Sequence, residues 1–158
     1  MKYRLLLISF FLIHGLKSQS KKEARENNLR STVSVDIEAG KTLKNKTTFF
    51  DKKGQTVEEA DYDKEGNLKS NIKYKYNKEG DVIEEEEYDA IAKTKEKRVI
   101  KYNVLGEKIQ ETVYDGLGKP VKTHLYKYDA RGLKTERKTI DAAGKVLSIR
   151  KYSYTFQK

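Results

Sequence analysis

Tyrosines are the residues of this sequence whose type and spacing best fit a binding surface. Residues two apart in a strand point to the same face of a sheet, so a Tyr-x-Tyr pair presents two rings side by side. Such rings commonly form a core, because aromatic side chains bury large areas. Left open beside lysines, they form a platform for sugars or a protein partner. The predicted ligand-binding residues are the three pairs Tyr74/Tyr76, Tyr126/Tyr128 and Tyr152/Tyr154, which are expected to form a ladder on one sheet face.

The other side chains form no recognisable catalytic or metal-binding set. His14 lies in the apolar N-terminal segment, which leaves His124 with no cysteine and no second histidine to complete a zinc site or a nucleophilic dyad. Asp63, Glu65 and Asn67 offer oxygens for calcium, but their spacing is not that of an EF-hand loop. A carboxylate pair for glycoside hydrolysis is arithmetically possible, yet no spacing selects one. We therefore predict no catalytic residue, no metal site and no cofactor.

Two acidic runs, residues 58–61 and 84–87, lie between segments that are rich in lysine. Adjacent strand residues point to opposite faces, so neither run converges on one ion. Opposite charges that face each other across strands contribute about 0.2–1 kcal/mol per pair and disfavour register slips. These glutamates are interpreted as a solvated, register-setting surface.

The tyrosines belong to a repeat that covers most of the chain. An aromatic or apolar residue stands four places before each turn glycine, and the gaps between these residues alternate between 12 and 14. Ala92 stands where one glycine is expected. Self-similarity at a fixed period of about 20–50 residues is the signature of a repeat array. The repeated residues are Phe50, Tyr62, Tyr76, Tyr88, Tyr102, Tyr114, Tyr128, Ile140 and Tyr154.

Each Asp-x-x-Gly segment is predicted to be a tight turn between strands, since an Asp side chain bonds the backbone just downstream. Connections this short join only antiparallel neighbours, so we predict an all-β, up-and-down meander of about ten strands built from 26-residue double repeats. The 12/14 alternation implies a stagger of one residue per strand, and hence a coiled sheet or an open or closed barrel, unless β-bulges cancel it. The strands are expected near residues 32–37, 42–50, 56–62, 68–76, 82–88, 94–102, 108–114, 120–128, 134–140 and 146–156.

Residues 126–135 (YKYDARGLKT) and 62–68 (YDKEGNL) resemble the unit of the YD-repeat family of Rhs-like proteins. The resemblance covers residues 50–154 and departs from the family pattern at Asn77, Ala92, Asn103 and Ile140. It implies a spiralling antiparallel sheet of the kind found in bacterial cell-surface and secreted proteins, including shells around toxin domains. This chain is too short for such a shell, so the resemblance carries architecture and not activity. The period separates the chain from MORN-like repeats.

The N-terminal segment has the layout of a secretory signal peptide. Lys2 and Arg4 precede an apolar run over residues 5–13, and small or polar residues end at Ser20. The run is too short to span a membrane, which needs about 20 residues. We predict a signal peptide at 1–20, a flexible leader at 21–31 and a single β-repeat domain at 32–158, located in the periplasm, at the cell surface or outside the cell.

Composition and charge indicate a thin core and an uneven surface. Only 36% of residues are hydrophobic and the mean hydropathy is −0.87. Residues 50–93 hold 8 basic and 13 acidic residues, whereas residues 94–158 hold 16 and 7. A basic half favours anionic surfaces such as acidic polysaccharide, envelope lipid or a protein. No specific nucleic-acid partner is expected, because the basic residues are spread singly over several strands of an exported chain.

We therefore predict a secreted or cell-envelope, non-enzymatic β-repeat protein that binds or scaffolds an unknown protein or polysaccharide of the envelope. Two alternatives stay open. One is a polysaccharide hydrolase or lyase that acts through carboxylates, and the other is an accessory or immunity partner of a secreted toxin. If the sheet is open, its edge strands are candidates for pairing with another copy.

Overall fold

The computed structural model describes residues 21–157, and ten strands within them form one antiparallel sheet in chain order. The predicted all-β meander is thus confirmed. The first and last strands are not paired with each other, so the sheet is open and the closed alternative is not observed. The strands are β1 Ser31–Glu38, β2 Lys41–Phe50, β3 Thr56–Tyr62, β4 Leu68–Tyr76, β5 Val82–Asp89, β6 Thr94–Tyr102, β7 Lys108–Tyr114, β8 Pro120–Tyr128, β9 Lys134–Asp141 and β10 Val146–Lys151.

The turn between β3 and β4 shows why Asp-x-x-Gly recurs. Asp63 Oδ1 accepts backbone N–H bonds from Glu65 at 3.0 Å and from Asn67 at 2.8 Å. Gly66 donates its N–H to the Asp63 carbonyl at 3.0 Å and has a φ of 84°, a conformation that favours glycine. Local turn bonding therefore accounts for this aspartate, as predicted.

The turn between β5 and β6, where Ala92 replaces glycine, has a different conformation. Asp89 Oδ1 accepts N–H bonds from Ile91 and Ala92, both at 2.8 Å, and the left-handed residue is Lys93 with a φ of 55°. This hairpin pairs without a bulge, whereas a bulge lies beside the aromatic residue in glycine turns, as between Asp61 and Tyr62. The exception to the repeat thus removes a bulge and leaves the meander intact.

Cross-strand pairing confirms the predicted stagger. The 26-residue repeat makes Lys75 the equivalent of Phe49, yet the residue directly across the sheet from Phe49 is Lys73, two places earlier. The next repeat adds the same slip. From β2 to β9, the bulges lie next to the turns and do not cancel it. The line of directly opposed residues runs through Phe49, Glu58, Lys73, Glu86, Lys97 and Tyr114.

The sheet forms a single layer, and its core is thin. The buried hydrophobic residues among those described are Ala24, Ala60, Ile100 and Val113. One face carries the predicted pairing of acidic and basic strands, and we call it the lysine face, defined by Lys73, Lys75, Lys95, Lys97 and Lys127. Its ion pairs include Lys75–Glu84 at 2.7 Å and Lys95–Glu86 at 2.8 Å.

The structure differs from the predicted flexible leader at 21–31. Residues 21–26 form a short helix, and Ser31 already belongs to β1. Ala24 is only 1% exposed, because the helix packs on Gly54 in the turn between β2 and β3. The prediction missed this helix because the segment is mostly charged and its one buried apolar side chain is Ala24. The predicted signal peptide lies outside the described residues.

The last strand is shorter than predicted, since it ends at Lys151 and not at residue 156. Its partner β9 begins at Lys134, so the chain beyond Tyr152, whose N–H still donates to the Thr135 carbonyl at 3.0 Å, has almost no ladder left to join. The alternation of apolar residues continues past Lys151, so it did not indicate where the strand ends.

Candidate functional site

The tyrosine pairs lie on the face opposite the lysine face. We call it the tyrosine face, defined by Tyr74, Tyr126 and their directly opposed neighbours Glu85 and Arg137. On this face, the residue directly opposite a tyrosine on the next strand is charged: Glu85 of β5 is opposite Tyr74 of β4, and Arg137 of β9 is opposite Tyr126 of β8. The predicted ladder is therefore divided, and Tyr74/Tyr76, Tyr126/Tyr128 and Tyr152/Tyr154 lie in separate places.

The second tyrosine of each pair has a structural contact. Tyr76 Oη donates to the Thr56 carbonyl at 2.6 Å, and Tyr128 Oη donates to the Lys108 carbonyl at 2.8 Å. Tyr154 repeats the bond to the Lys134 carbonyl at 2.7 Å. The Tyr76 and Tyr128 hydroxyls join an even-numbered strand to the start of the preceding odd-numbered strand, and the Tyr154 hydroxyl joins the segment after β10 to the start of β9. Their rings are consequently held at fixed positions along the face.

Tyr102 makes the same bond, to the Val82 carbonyl at 2.9 Å, and was not among the predicted site residues. The Tyr-x-Tyr pattern missed it because position 100 is isoleucine. The 26-residue spacing from Tyr76 to Tyr102 to Tyr128 was the signal that could have identified it.

The first tyrosine of a pair meets a carboxylate. Tyr74 Oη donates to Glu59 Oε2 at 3.5 Å, and Tyr126 Oη donates to Glu111 Oε2 at 3.3 Å. Burial, with the nearby Glu59 charge, raises the pKa of Tyr74, and burial with the Glu111 charge raises the pKa of Tyr126 to about 12. Both phenols are thus neutral donors under ordinary conditions.

A groove of about 350 Å³ lies at the N-terminal end of the tyrosine face, and we call it the Tyr74 groove. Phe50, Tyr74 and Tyr76 supply its aromatic walls, while Glu59 and Lys21 supply charges of opposite sign. Lys21 enters from the short helix above the sheet. An aromatic cleft with a few convergent polar groups is the usual form of a small-ligand site. The residues that line it include Lys21, Thr32, Thr48, Phe50, Glu59, Tyr74 and Tyr76.

The other two predicted pairs lie in more open surroundings. Tyr126 and Tyr128 line a shallower concavity with Ile109 and Asn103. Tyr154 is 45% exposed beside the sheet edge, and Tyr152 lies 5.8 Å from Lys134 Nζ, measured from the ring centroid. Of the predicted site residues, Tyr74 and Tyr76 therefore have the surroundings best suited to enclosing a ligand.

Arg98 and Glu111, both on the tyrosine face, form ion pairs with neighbouring side chains. Arg98 contacts Glu85 and Glu96 at 2.5 Å each and Glu87 at 3.4 Å. Glu111 forms an ion pair with Lys108. This arrangement compensates the carboxylates of the short acidic strands.

His124 lies opposite Glu111, and its Nδ1 is 2.9 Å from Thr139 Oγ1. Burial lowers its pKa, and the Glu111 charge opposes that shift. A hydrogen bond to a neighbouring strand accounts for this residue.

A general acid requires a carboxyl group with a raised pKa. Among residues 21–157, the carboxyls with a shifted pKa are all shifted downward. Backbone N–H bonds lower the pKa of Asp63 and Asp129, and Lys95 lowers that of Glu86. For Glu111, burial acts upward, but Lys108 and His124 outweigh it. The lowered pKa of these four carboxyls favours their charged form.

No helix within residues 21–157 has the length and apolarity needed to cross a membrane. Over the same residues, histidine, aspartate and glutamate side chains form no group of three or more that could hold a metal ion.

Comparison with known proteins gives little beyond this geometry. The sequence matches no protein-family model and no curated protein. Among solved structures, it is similar to the crystal structure of a protein with unknown function from Bacteroides fragilis NCTC 9343. The two share 14% identity over 80% of this chain and 96% of that one, with a TM-score of 0.40. A likeness at this level carries no argument about fold or function.

Alkaline pH is expected to destabilise the sheet through its tyrosines. Burial raises the pKa of Tyr76 and of Tyr126 to about 12, above the 10.0 of an exposed tyrosine. Because the fold favours the neutral phenols, their stabilisation is complete below pH 10 and is lost as the pH rises towards 12. Tyrosinate absorbance and far-UV circular dichroism recorded together will test this.

The variant Tyr126→Phe, which cannot ionise at that position, is expected to lose less stability over the same pH range. Lysines also deprotonate there, so the comparison with wild type isolates the tyrosine contribution. Complete titration of all tyrosines near pH 10 with the sheet intact would contradict this prediction.

Proposed function

We propose that this protein is an exported, non-enzymatic β-repeat binding module of the bacterial cell envelope, and that it holds a polysaccharide in the Tyr74 groove. The observation that carries this proposal is the combination, in one cleft, of aromatic walls with side chains of opposite charge, Glu59 and Lys21. The layout of residues 1–20 and the YD-like repeat support the envelope location.

Sugar rings suit such a groove for physical reasons. Their C–H faces pack against aromatic rings, which supply contact area at low entropic cost. Their hydroxyls can both donate to Glu59 and accept from Thr48 or Lys21, all of which line the groove. Glu59 is oriented by Tyr74 and by Lys46, whose Nζ lies 3.5 Å from its Oε2. A carboxylate held in this way accepts hydrogen bonds without having to be ordered first.

The hydrolase alternative receives less support from the same residues. A glycosidase uses one carboxyl with a raised pKa as its acid and a second carboxylate across the scissile bond. The downward pKa shifts of Glu86 and Glu111 favour ionised, paired side chains. A binding role uses these carboxylates as acceptors.

Capture of envelope material will test the proposed function. The chain from residue 21 onward is immobilised and exposed to fractionated envelope polysaccharides and envelope proteins of its source organism, at low and at high salt. A polysaccharide fraction retained at high salt is the expected result, because contacts within a groove are screened less than surface charge. Retention of a protein only, or of anionic material at low salt only, would contradict the proposal.

Replacing Tyr74 by alanine is expected to weaken retention of that polysaccharide about tenfold, or 1.4 kcal/mol. Tyr88→Ala is the matched control, since Tyr88 is a half-exposed tyrosine, 39% accessible, on the lysine face. Glu59→Gln keeps the shape of the groove and removes its anionic acceptor, so it is expected to weaken binding without loss of fold. Equal affinity of all three variants would place the ligand elsewhere.

A further inference from the structure

Strands β1 and β10 leave the outer edges of the sheet open. Every residue of both strands is exposed, and within residues 21–157 no strand pairs with either outer edge. Both edges also present apolar side chains: Val33 and Ile37 of β1 are 57% and 74% exposed, and Ile149 of β10 is 53% exposed. Unpaired N–H and C=O groups beside exposed apolar side chains form a template for another strand.

The repeat identifies which strand fits each edge. Asp36 precedes Tyr62 by 26 residues, so β1 is equivalent to β3 and to the other odd-numbered strands. β10 is an even-numbered strand, and inside the molecule each even-numbered strand pairs on both sides with odd-numbered ones. A β1 strand from a second copy therefore matches the kind of strand that would come next after β10.

Charge complements this match. β1 contains two acidic residues, Asp36 and Glu38, and no basic one, whereas β10 contains Arg150 and Lys151 and no acidic one. Interior pairs of the sheet follow the same rule, with the acidic residue on the odd-numbered strand, as in Lys127–Glu136 at 3.2 Å. The two free edges thus carry the opposite charges that adjacent strands of this sheet already use.

We propose that copies of this chain associate head to tail, with β1 of one copy pairing antiparallel to β10 of the next, so that the meander continues from one molecule to another. Continuing the interior register places Asp36 of one copy opposite Ile149 of the other and diagonal to Lys151. When two copies have paired in this way, β1 of one copy and β10 of the other are still free to bind further copies. The assembly therefore grows as an open filament, unless the coiling of the sheet closes it into a ring. This inference is independent of the ligand proposed for the Tyr74 groove.

Charge exchange at the two edges tests the proposal by sedimentation velocity over a range of concentrations at low salt. One variant carries Asp36→Lys and Glu38→Lys, and the other carries Arg150→Glu and Lys151→Glu. Wild type is expected to show oligomers that increase with concentration, while each variant alone stays monomeric, because its two edges then bear like charges. An equimolar mixture of the two variants is expected to assemble again.

Controls separate edge pairing from general charge effects. Lys78→Glu with Lys119→Glu makes the same change in net charge as the Arg150 and Lys151 variant, at exposed turn positions, and is expected to assemble like wild type. Far-UV circular dichroism checks that each edge variant retains its sheet, since Asp36 and Glu38 also contact Asn45 and Lys64. A chain with all four edge substitutions has complementary edges again and should self-associate.

A wild type that remains monomeric at every concentration would overturn the proposal. Assembly of either edge variant alone, at the wild-type level, would do the same by showing that the association uses like edges or another surface. Failure of a folded four-substitution chain and of the mixture to assemble would also refute head-to-tail pairing.

Discussion

Replacing Arg98 by methionine is expected to lower the free energy of unfolding by about 2–3 kcal/mol at neutral pH. The Arg98 guanidinium contacts three carboxylates, those of Glu85, Glu87 and Glu96, in the middle of the tyrosine face. The side chain of Arg98 is 32% exposed, so water replaces it only in part. Its removal leaves three negative charges close together without a counter-ion. Urea denaturation of the two proteins measures the loss.

The pH dependence distinguishes charge repulsion from lost packing. The deficit is expected to shrink in acid, below about pH 4, where carboxylates in general take up protons and their mutual repulsion disappears. Lys97→Met is the matched control, because Lys97 is the adjacent residue and makes one longer ion pair, 3.8 Å to Glu84, on the lysine face. An Arg98→Met deficit no larger than that of Lys97→Met, or one independent of pH, would contradict the assigned role.

Replacing Gly54 by alanine is expected to release the short helix from the sheet. A Cβ at this position would lie 2.3 Å from the Lys21 carbonyl oxygen and 2.8 Å from the Arg25 nitrogen, and the φ of 74° already disfavours alanine. The left-handed conformation costs about 1–2 kcal/mol, and return of the Ala24 methyl to water adds about 0.8 kcal/mol. Limited proteolysis within residues 21–30 and urea denaturation measure the two effects.

Gly66→Ala separates the two costs. Gly66 has a φ of 84°, but a Cβ there would meet no atom within 4 Å. Gly66→Ala is expected to lose stability through the left-handed conformation alone, and to keep the helix at residues 21–26 protected from proteolysis. Since Lys21 reaches the Tyr74 groove from that helix, Gly54→Ala should also weaken polysaccharide binding, whereas Gly66→Ala should not. Equal proteolysis of the two variants would show that the helix does not depend on Gly54.

Much of the fold followed from the sequence because each hairpin is specified locally. Asp63 and Gly66 determine a turn within five residues, and the same pattern recurs until the end of the chain. The stagger could be obtained by counting, since the aromatic positions fix the pairing of each hairpin. Even the turn at Ala92 was marked as an exception, although the shift of the left-handed residue to Lys93 was not foreseen.

The site was less accessible to sequence analysis because it depends on contacts between distant segments. Lys21 and Phe50 share the Tyr74 groove with Tyr74 only because the helix at residues 21–26 packs on Gly54. No local pattern in a charged segment indicates such packing. The tyrosine pairs were predicted to form a ladder on one sheet face, but the strand pairing places Glu85 and Arg137 beside them. The period of the sequence predicted which face the tyrosines occupy, but their neighbours on the adjacent strands became known only from the strand register in the structure.

The most direct test of the proposed binding role is NMR mapping of the chain from residue 21 onward during titration with the purified envelope polysaccharide. Backbone amide shifts are expected to change around the Tyr74 groove, at Thr48, Gln55 and Tyr74, with smaller changes at the helix that carries Lys21. In Tyr74→Ala, the amide shifts of Thr48 and Gln55 should change less at the same polysaccharide concentration, as a tenfold weaker affinity requires. Changes confined to basic residues of the lysine face, such as Lys75 and Lys127, would contradict the role of the groove and indicate nonspecific charge binding.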